Sequence, residues 1–426
     1  MNLLIISQYF QPEVGATQSR LAATTQELVR AGHSVEILTA MPNYPIGRTF
    51  PEYRWSFYRQ EAFGTTRVHR VWSYPSQGAG LGRMLNYGTF AMTSIFGLTT
   101  VRKPDCVFVE VPPLSLCVPA ILASKLWRVP VIINVADLWP DSAIELGLLD
   151  KEGPFAAMLW RLEGWAYRQA DYVCAVTEDI LETLGSQKDV PERKLLFLPN
   201  GVDTELYTSQ PPDISLRKQL GLEGKKLVVY AGTLGLVHGL DKLLNAAEVL
   251  RNEPEFHFLF VGSGSAKQIL VARAQASGLP NVSFVDPVPA ADVPKYYSIA
   301  LCGAVSLSDL PLFQSAKPAK TLAIMACGKP VVLASNCATS LIIDANAGIV
   351  ADDPNSIANA IRRLGNDPKL AAEFGANGRA YVERHWTWPL LVGRWLRQLE
   401  AGADAKSELH KSLNSISAAR ALVRQS

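Results

Sequence analysis

The chain has 426 residues, 48% apolar and 19% charged, enough to bury two or three ordinary cores and too apolar for a disordered or tail-like protein. Lys and Arg total 41 against 39 Asp and Glu, and a formal charge of +2 lacks the basic excess of a dedicated nucleic-acid binder. The six cysteines (Cys106, Cys117, Cys174, Cys302, Cys327, Cys337) occur singly, without a C-x-x-C pair or a histidine cluster. That pattern argues against zinc and for buried free thiols in a reducing compartment.

In chain order, the opening Met1-Asn2-Leu3-Leu4-Ile5-Ile6-Ser7 has no basic flank and is too short for a signal peptide, so Leu3–Ser7 reads as a first strand. A loop with Pro12 and Gly15 leads to Thr17, a fitting N-cap, and to a helix with Leu21, Leu28 and Val29 on one face, stopped by Gly32. Val35–Thr39 completes a βαβ unit. Further strands are predicted at Val68–Trp72, Cys106–Val111, Val131–Val135, Tyr172–Val176 and Leu195–Leu198. Between them, Met84–Val101 is apolar and bracketed by Arg83 and Arg102-Lys103. Its Asn86, Thr89, Thr93 and Ser94 make it a poor spanning helix, suited either to the core or to a membrane interface. A turn-rich break near Tyr207–Pro212 precedes a second series, at Leu227–Tyr230, Phe256–Val261, Val282–Val285, Ala300–Val305, Val331–Leu333 and Gly348–Val350. Runs apolar on consecutive residues and joined by helices indicate parallel strands covered on both faces.

The fold class is therefore α/β with two doubly wound Rossmann-like domains. The predicted division is 1–206, 207–385, a crossover helix over 386–402 returning to the first domain, and a weakly patterned tail over 403–426. Trp388-Pro389 starts the crossover helix, and Leu391, Val392, Trp395, Leu396 and Leu399 form its apolar stripe.

Several signals place a diphosphate in a cleft between the halves. Gly15, Gly232 with Thr233, Gly262 and Gly264 all follow strands, where glycines beside helix starts expose N–H groups to phosphate, although each also serves ordinary turns. Lys320 stands near the start of a helix that ends at Cys327-Gly328, and its ammonium would neutralise a leaving diphosphate; the bland alternative is a surface lysine.

The run Ala323-Ile324-Met325-Ala326-Cys327-Gly328-Lys329-Pro330-Val331-Val332 resembles the E-A-M-A-x-G-x-P-V-V element of retaining GT-B glycosyltransferases of family 4. Other pieces agree in order: Phe10-Gln11-Pro12-Glu13 with Gly15 and Arg20, Pro42-Asn43-Tyr44-Pro45 with Gly47, Asp137-Leu138-Trp139-Pro140-Asp141, Pro199-Asn200-Gly201-Val202-Asp203, and Tyr230-Ala231-Gly232-Thr233-Leu234-Gly235. These are similar to the branch containing fucosamine, colanic-acid and O-antigen transferases.

The resemblance implies transfer of a sugar, an N-acetylated amino sugar, from a UDP-sugar with retention and without a bound metal or other cofactor. The acceptor would sit on the first domain and the nucleotide on the second. It implies Lys320 and Glu13 at the chemistry, and Asp137 and Asp141 orienting the acceptor hydroxyl or countering charge on the sugar. The last two otherwise cap a helix around Ser142–Leu146. Gly15, Gly232, Thr233, His238, Gly262, Gly264, Thr321, Leu322 and Ala323 are the implied substrate-binding positions. The acceptor implied is a polyprenyl-diphosphate-linked sugar or polysaccharide precursor, used for O-antigen or capsule. It would be met at the cytoplasmic face of a bacterial membrane, to which the protein attaches peripherally. Tyr53, Trp55, Phe57, Tyr58 and Phe63, interleaved with Arg54, Arg59 and Arg67, suit that interface. Two departures stand out. The family's paired glutamates are Ser315 and Ala323 here, and its histidine before Asp137 is Ala136. A GT-B nucleotide-sugar epimerase is one alternative, and those losses leave open a second, a weakened nucleotide-sugar-binding variant.

Overall fold

The computed structural model describes residues 1–44, 46–76, 80–310 and 316–402; Pro45, Ser315 and the tail from 403 lie outside the described residues. The chain divides into two compact units, Met1–Pro199 with the segment from Pro389 onward, and Asn200–Trp388.

The first unit holds an eight-stranded sheet in the order β3-β4-β2-β1-β5-β6-β7-β8. Its strands are β1 (Asn2–Ser7), β2 (Ser34–Ala40), β3 (Tyr58–Phe63), β4 (Thr66–Val71), β5 (Cys106–Val111), β6 (Val131–Val135), β7 (Tyr172–Ala175) and β8 (Leu195–Phe197). Every pairing is parallel except the β3–β4 hairpin at one edge. Consecutive apolar residues in β1, β5 and β6 are all buried because helices cover both faces. Helix α1 (Ala16–Arg30) starts two residues earlier than a Thr17 cap implies, since Gly15 is the capping residue and bonds through backbone alone. Gly32, at φ 85°, then turns the chain into β2.

The helices α2 (Leu81–Gly97) and α3 (Cys117–Trp127) pack on this sheet. The helix over 388–402, from Pro389 onward, also belongs to the first unit. Trp395 is fully buried in edge-on contact with Phe108, the ring centroids 5.9 Å apart, and Gln398 accepts from the Phe197 N–H.

The second unit holds β9 (Lys226–Ala231), β10 (Phe256–Val261), β11 (Val282–Val285), β12 (Ala300–Ser306), β13 (Val331–Ala334) and β14 (Gly348–Ala351). The strand order β11-β10-β9-β12-β13-β14, all parallel, reverses direction between β9 and β12. That reversal is the place where open α/β sheets take ligands, just beyond the carboxyl ends of the strands. The unit begins at Asn200 instead of Tyr207, and the reason is local. Val202 bridges to Thr387, and the Arg379 guanidinium donates to the carbonyls of Thr204, Tyr207 and Ala326, binding the connector to the second unit. All six cysteines are buried, and none is in a disulfide.

Candidate active site

In the second unit the site grows from the loop after β9. The N–H groups of Gly232 and Leu234 are spent on the carbonyls of Val261 and Ser263, which lays this loop against the one after β10. A Cβ on Gly262 would stand 2.0 Å from the Gly232 oxygen, and one on Gly264 2.4 Å from the Leu234 oxygen. Both glycines are also at positive φ, 144° and 156°. They are required for close backbone approach between the two loops. Gly232 and Thr233 are left exposed at the end of the strand.

Lys320 lies in the first turn of the helix Ala319–Ala326, which Pro318 precedes. It is half-buried and not a bare surface lysine. Its ammonium donates to the Tyr230 hydroxyl and lies 4.3 Å from the centre of that ring. The same hydroxyl donates to the Thr233 carbonyl at 2.8 Å. Tyr230 therefore fastens Lys320 to the 232–235 loop, and a Cβ on Gly232 would stand 3.7 Å from the lysine nitrogen. Burial pushes the Lys320 ammonium down to about 7. His238 joins the cluster: burial, then the Lys320 charge, push it down to about 4, so it is neutral near pH 7.

Three expectations change here. The chain does not enter a helix at Thr233. A single 3-10 turn, Leu236–His238, ends at Gly239 in the left-handed region, and the helix begins at Asp241. A dipole at Thr233 therefore drops out, leaving backbone and Lys320 to meet an anion. Leu322 and Thr321 are 0% and 1% exposed, so their side chains face the core and not a ligand. Ala323 is buried as well, at 8%.

In the first unit, Glu13 is an anchor. One carboxylate oxygen accepts from the Asn43 and Tyr44 N–H groups, each at 2.8 Å, and the other from Phe10 N–H at 3.3 Å. Burial nevertheless pushes its carboxyl up to about 7 against those donors. Asp141 is tied down too. Its oxygens accept from Trp160 Nε1, at 2.7 Å, and from Lys188, which also bonds Glu163. That places it in a helix-tying network and away from the role of orienting an acceptor. Asp137 stands half-buried beside Ser142, with its carboxyl raised by burial. The short helix Asp141–Glu145 has no side-chain cap, so neither aspartate serves in that way. Gly15 opens α1, where a Cβ would stand 2.5 Å from the Gln18 side-chain oxygen.

Tyr230 is the residue the sequence reading missed as a participant. A tyrosine near the end of an apolar strand looks like core, and its place two residues before Gly232 is the available signal.

Two doubly wound units, with a lysine held over a glycine loop at the switch point of the second, define a GT-B glycosyltransferase. The family comparisons agree along the chain. Residues 15–201 match the glycosyl transferase 4-like domain, and residues 213–381 match glycosyl transferases group 1. The chain belongs to family 4 of the GT-B glycosyltransferases. It is 29% identical over 398 residues, 90% of this chain and 96% of the relative, to WcaI of Escherichia coli K12, named for colanic acid biosynthesis. It is 26% identical over 345 residues, 73% and 86% of the two chains, to a GDP-mannose-dependent phosphatidylinositol monomannoside mannosyltransferase of Mycolicibacterium smegmatis. Among solved structures, sucrose-phosphate synthase of Thermosynechococcus elongatus superposes with a TM-score of 0.73 at 19% identity, covering 94% of this chain and 99% of that one. HepE of Anabaena, solved with UDP, does so with a TM-score of 0.68 at 19% identity, covering 94% and 100%. At these identities the likeness is one of fold.

Proposed function

We propose that this glycosyltransferase moves an N-acetylated amino sugar, with retention, from a UDP-sugar to a lipid-linked or polysaccharide-precursor acceptor in bacterial surface-glycan synthesis. The observation that carries the reading is the placement of Lys320, held by Tyr230 against the loop after β9 at the sheet's reversal.

In the reaction, the bond between the anomeric carbon and the β-phosphate oxygen breaks. The acceptor oxygen bonds to the same face of the sugar, and the acceptor's proton passes to the departing phosphate. The Lys320 ammonium, held beside the exposed Gly232-Thr233 turn, offsets the charge growing on the diphosphate. No metal or cofactor enters this scheme. The neutral His238 serves as a hydrogen-bonding neighbour of the phosphate.

For the UDP donor, the support is the family together with UDP complexes of fold neighbours; the GDP-mannose enzymes among the relatives name the competing base. Support for peripheral attachment to the inner face of the membrane is an apolar surface on the first unit. Leu85, Met92, Ile95 and Phe96 of α2 are exposed, as are Trp55 and Phe57, with the Phe57 and Phe96 rings 5.6 Å apart. Among the described residues no helix is long and apolar enough to cross a membrane.

The test is incubation with UDP-sugars, with and without a lipid-linked monosaccharide. Acceptor-dependent UDP release supports transfer, whereas conversion of the UDP-sugar with no acceptor present indicates the epimerase reading.

A further inference from the structure

The first unit contains a cation that its own acids do not neutralise. Arg83 stands in the first turn of α2, and its Nε donates to the Tyr87 hydroxyl at 2.8 Å. The guanidinium carbon lies 5.0 Å from the centre of the Tyr87 ring and 5.7 Å from that of Tyr9. Tyr9 packs on Tyr44 with centroids 5.5 Å apart, and Tyr87 meets Trp139 edge-on at 6.4 Å. All four rings are half-buried, so each keeps part of its surface in water.

Other buried cations of this unit have carboxylates: Arg20 has Glu110, Arg70 has Glu61, and Lys188 has Asp141 and Glu163. Among the described residues no carboxylate pairs with Arg83. Glu13, which also approaches Tyr9, has both oxygens taken by backbone N–H groups. A half-desolvated guanidinium without a counter-ion is costly unless a ligand supplies the anion.

We propose that Arg83, framed by Tyr9, Tyr44 and Tyr87, binds the phosphate or diphosphate group of the acceptor. A planar guanidinium makes paired hydrogen bonds to phosphate oxygens, and the flat aromatic faces beside it suit the C–H face of a sugar. An apolar path leads from the same turn of α2, where Leu81, Met84 and Leu85 are 78%, 40% and 53% exposed. The ligand class is thus a phosphate or diphosphate ester whose apolar chain runs along α2. The site rests on the transferase reading for its purpose.

The test uses the full chain with excess UDP present, so that the donor site is filled. Binding of geranyl diphosphate, geraniol and inorganic pyrophosphate is measured by intrinsic fluorescence for the unmodified protein, Arg83→Gln and Arg83→Lys. The expected result is binding of geranyl diphosphate that weakens about tenfold or more in Arg83→Gln and less in Arg83→Lys. Geraniol should bind poorly and equally to all three. Arg83-dependent pyrophosphate binding as tight as that of geranyl diphosphate supports the site and assigns it to phosphate alone; tighter binding of the ester assigns the lipid. Unchanged geranyl diphosphate affinity in Arg83→Gln, or no binding by the unmodified protein, overturns the proposal. UDP affinity is read in the same samples. If UDP does not bind, the transferase reading is what fails, whereas normal UDP binding without Arg83 dependence removes this subsite alone. Arg83→Lys retains a cation of similar length and guards against a folding defect in Arg83→Gln.

Discussion

At the scale of single residues, Lys320 sets the pH behaviour. In the free protein its amine loses its proton near pH 7, and a diphosphate bound beside it would restore the ammonium. UDP binding above about pH 7 should therefore take up a proton, and affinity should fall as pH rises. Calorimetric titration at about pH 8, in buffers of different ionisation enthalpy, reads the uptake directly, and Lys320→Met should abolish it along with about tenfold or more of the affinity. Stability runs the other way. The folded value lies below the unfolded one, so the unfolded chain binds more protons between about 7 and 10.5, and the unliganded protein gains stability from this group as pH climbs through that window. Tyr230→Phe keeps the ring and removes the bond to the Thr233 carbonyl. It should lower kcat/KM for the donor by about tenfold while moving the melting temperature little. Glu13 offers a contrast. Glu13→Gln keeps an acceptor for the Asn43 and Tyr44 N–H groups, whereas Glu13→Ala leaves them unpaired and should cost about 2 kcal/mol in denaturant unfolding. The positions of Lys320 at a helix start and of Gly232 and Thr233 just past a strand end were legible from the pattern. Arg83 and Tyr230 were not, since nothing in a linear pattern shows that a cation lacks a carboxylate or that a strand-end hydroxyl has two partners.

At the scale of elements, the parallel strands were readable because burial on both faces forces runs of Val, Ile and Leu. Strand β3, Tyr58–Phe63, was not, since its Arg59-Gln60-Glu61 centre lies at a sheet edge and is largely exposed. The aromatic and basic run read as a membrane face is therefore partly structural. Tyr53 is buried under Arg59 and Arg70, Phe63 packs on Phe10, and the Tyr58 hydroxyl bonds His69, whereas Trp55 and Phe57 remain exposed. The sequence reads as a helix start at Thr233, whereas Gly239, at positive φ, closes a single 3-10 turn there before the helix begins. The final helix is a stronger case. Its stripe predicted burial, and Trp395 is fully enclosed, so Trp395→Ala should cost about 3–5 kcal/mol in denaturant unfolding of the first unit. On the helix Ala319–Ala326, Ala323→Glu restores the family's carboxylate at a position 8% exposed. Tighter UDP binding by about tenfold, measured by calorimetry, is the expected outcome; unchanged affinity would show that the alanine does not weaken the donor site.

At the scale of the whole molecule, motif order along both units made the family legible where no single glycine was specific. The sugar and the acceptor were less so, because they depend on side chains brought together from several loops. The exposed apolar residues of α2 predict binding to vesicles of anionic phospholipid at low salt; Met92→Asp with Phe96→Asp should release the protein in a sedimentation assay. The central claim is that a nucleotide-sugar surrenders its sugar to an acceptor with Lys320 holding the diphosphate. The measurement that tests it most directly is a mass-spectrometric screen of UDP- and GDP-sugars against a lipid-linked monosaccharide, with the unmodified chain and Lys320→Ala side by side. The account predicts an acceptor heavier by one sugar, equimolar nucleoside diphosphate, and loss of both in the variant. No acceptor-dependent product from any donor, or equal turnover by Lys320→Ala, would contradict it.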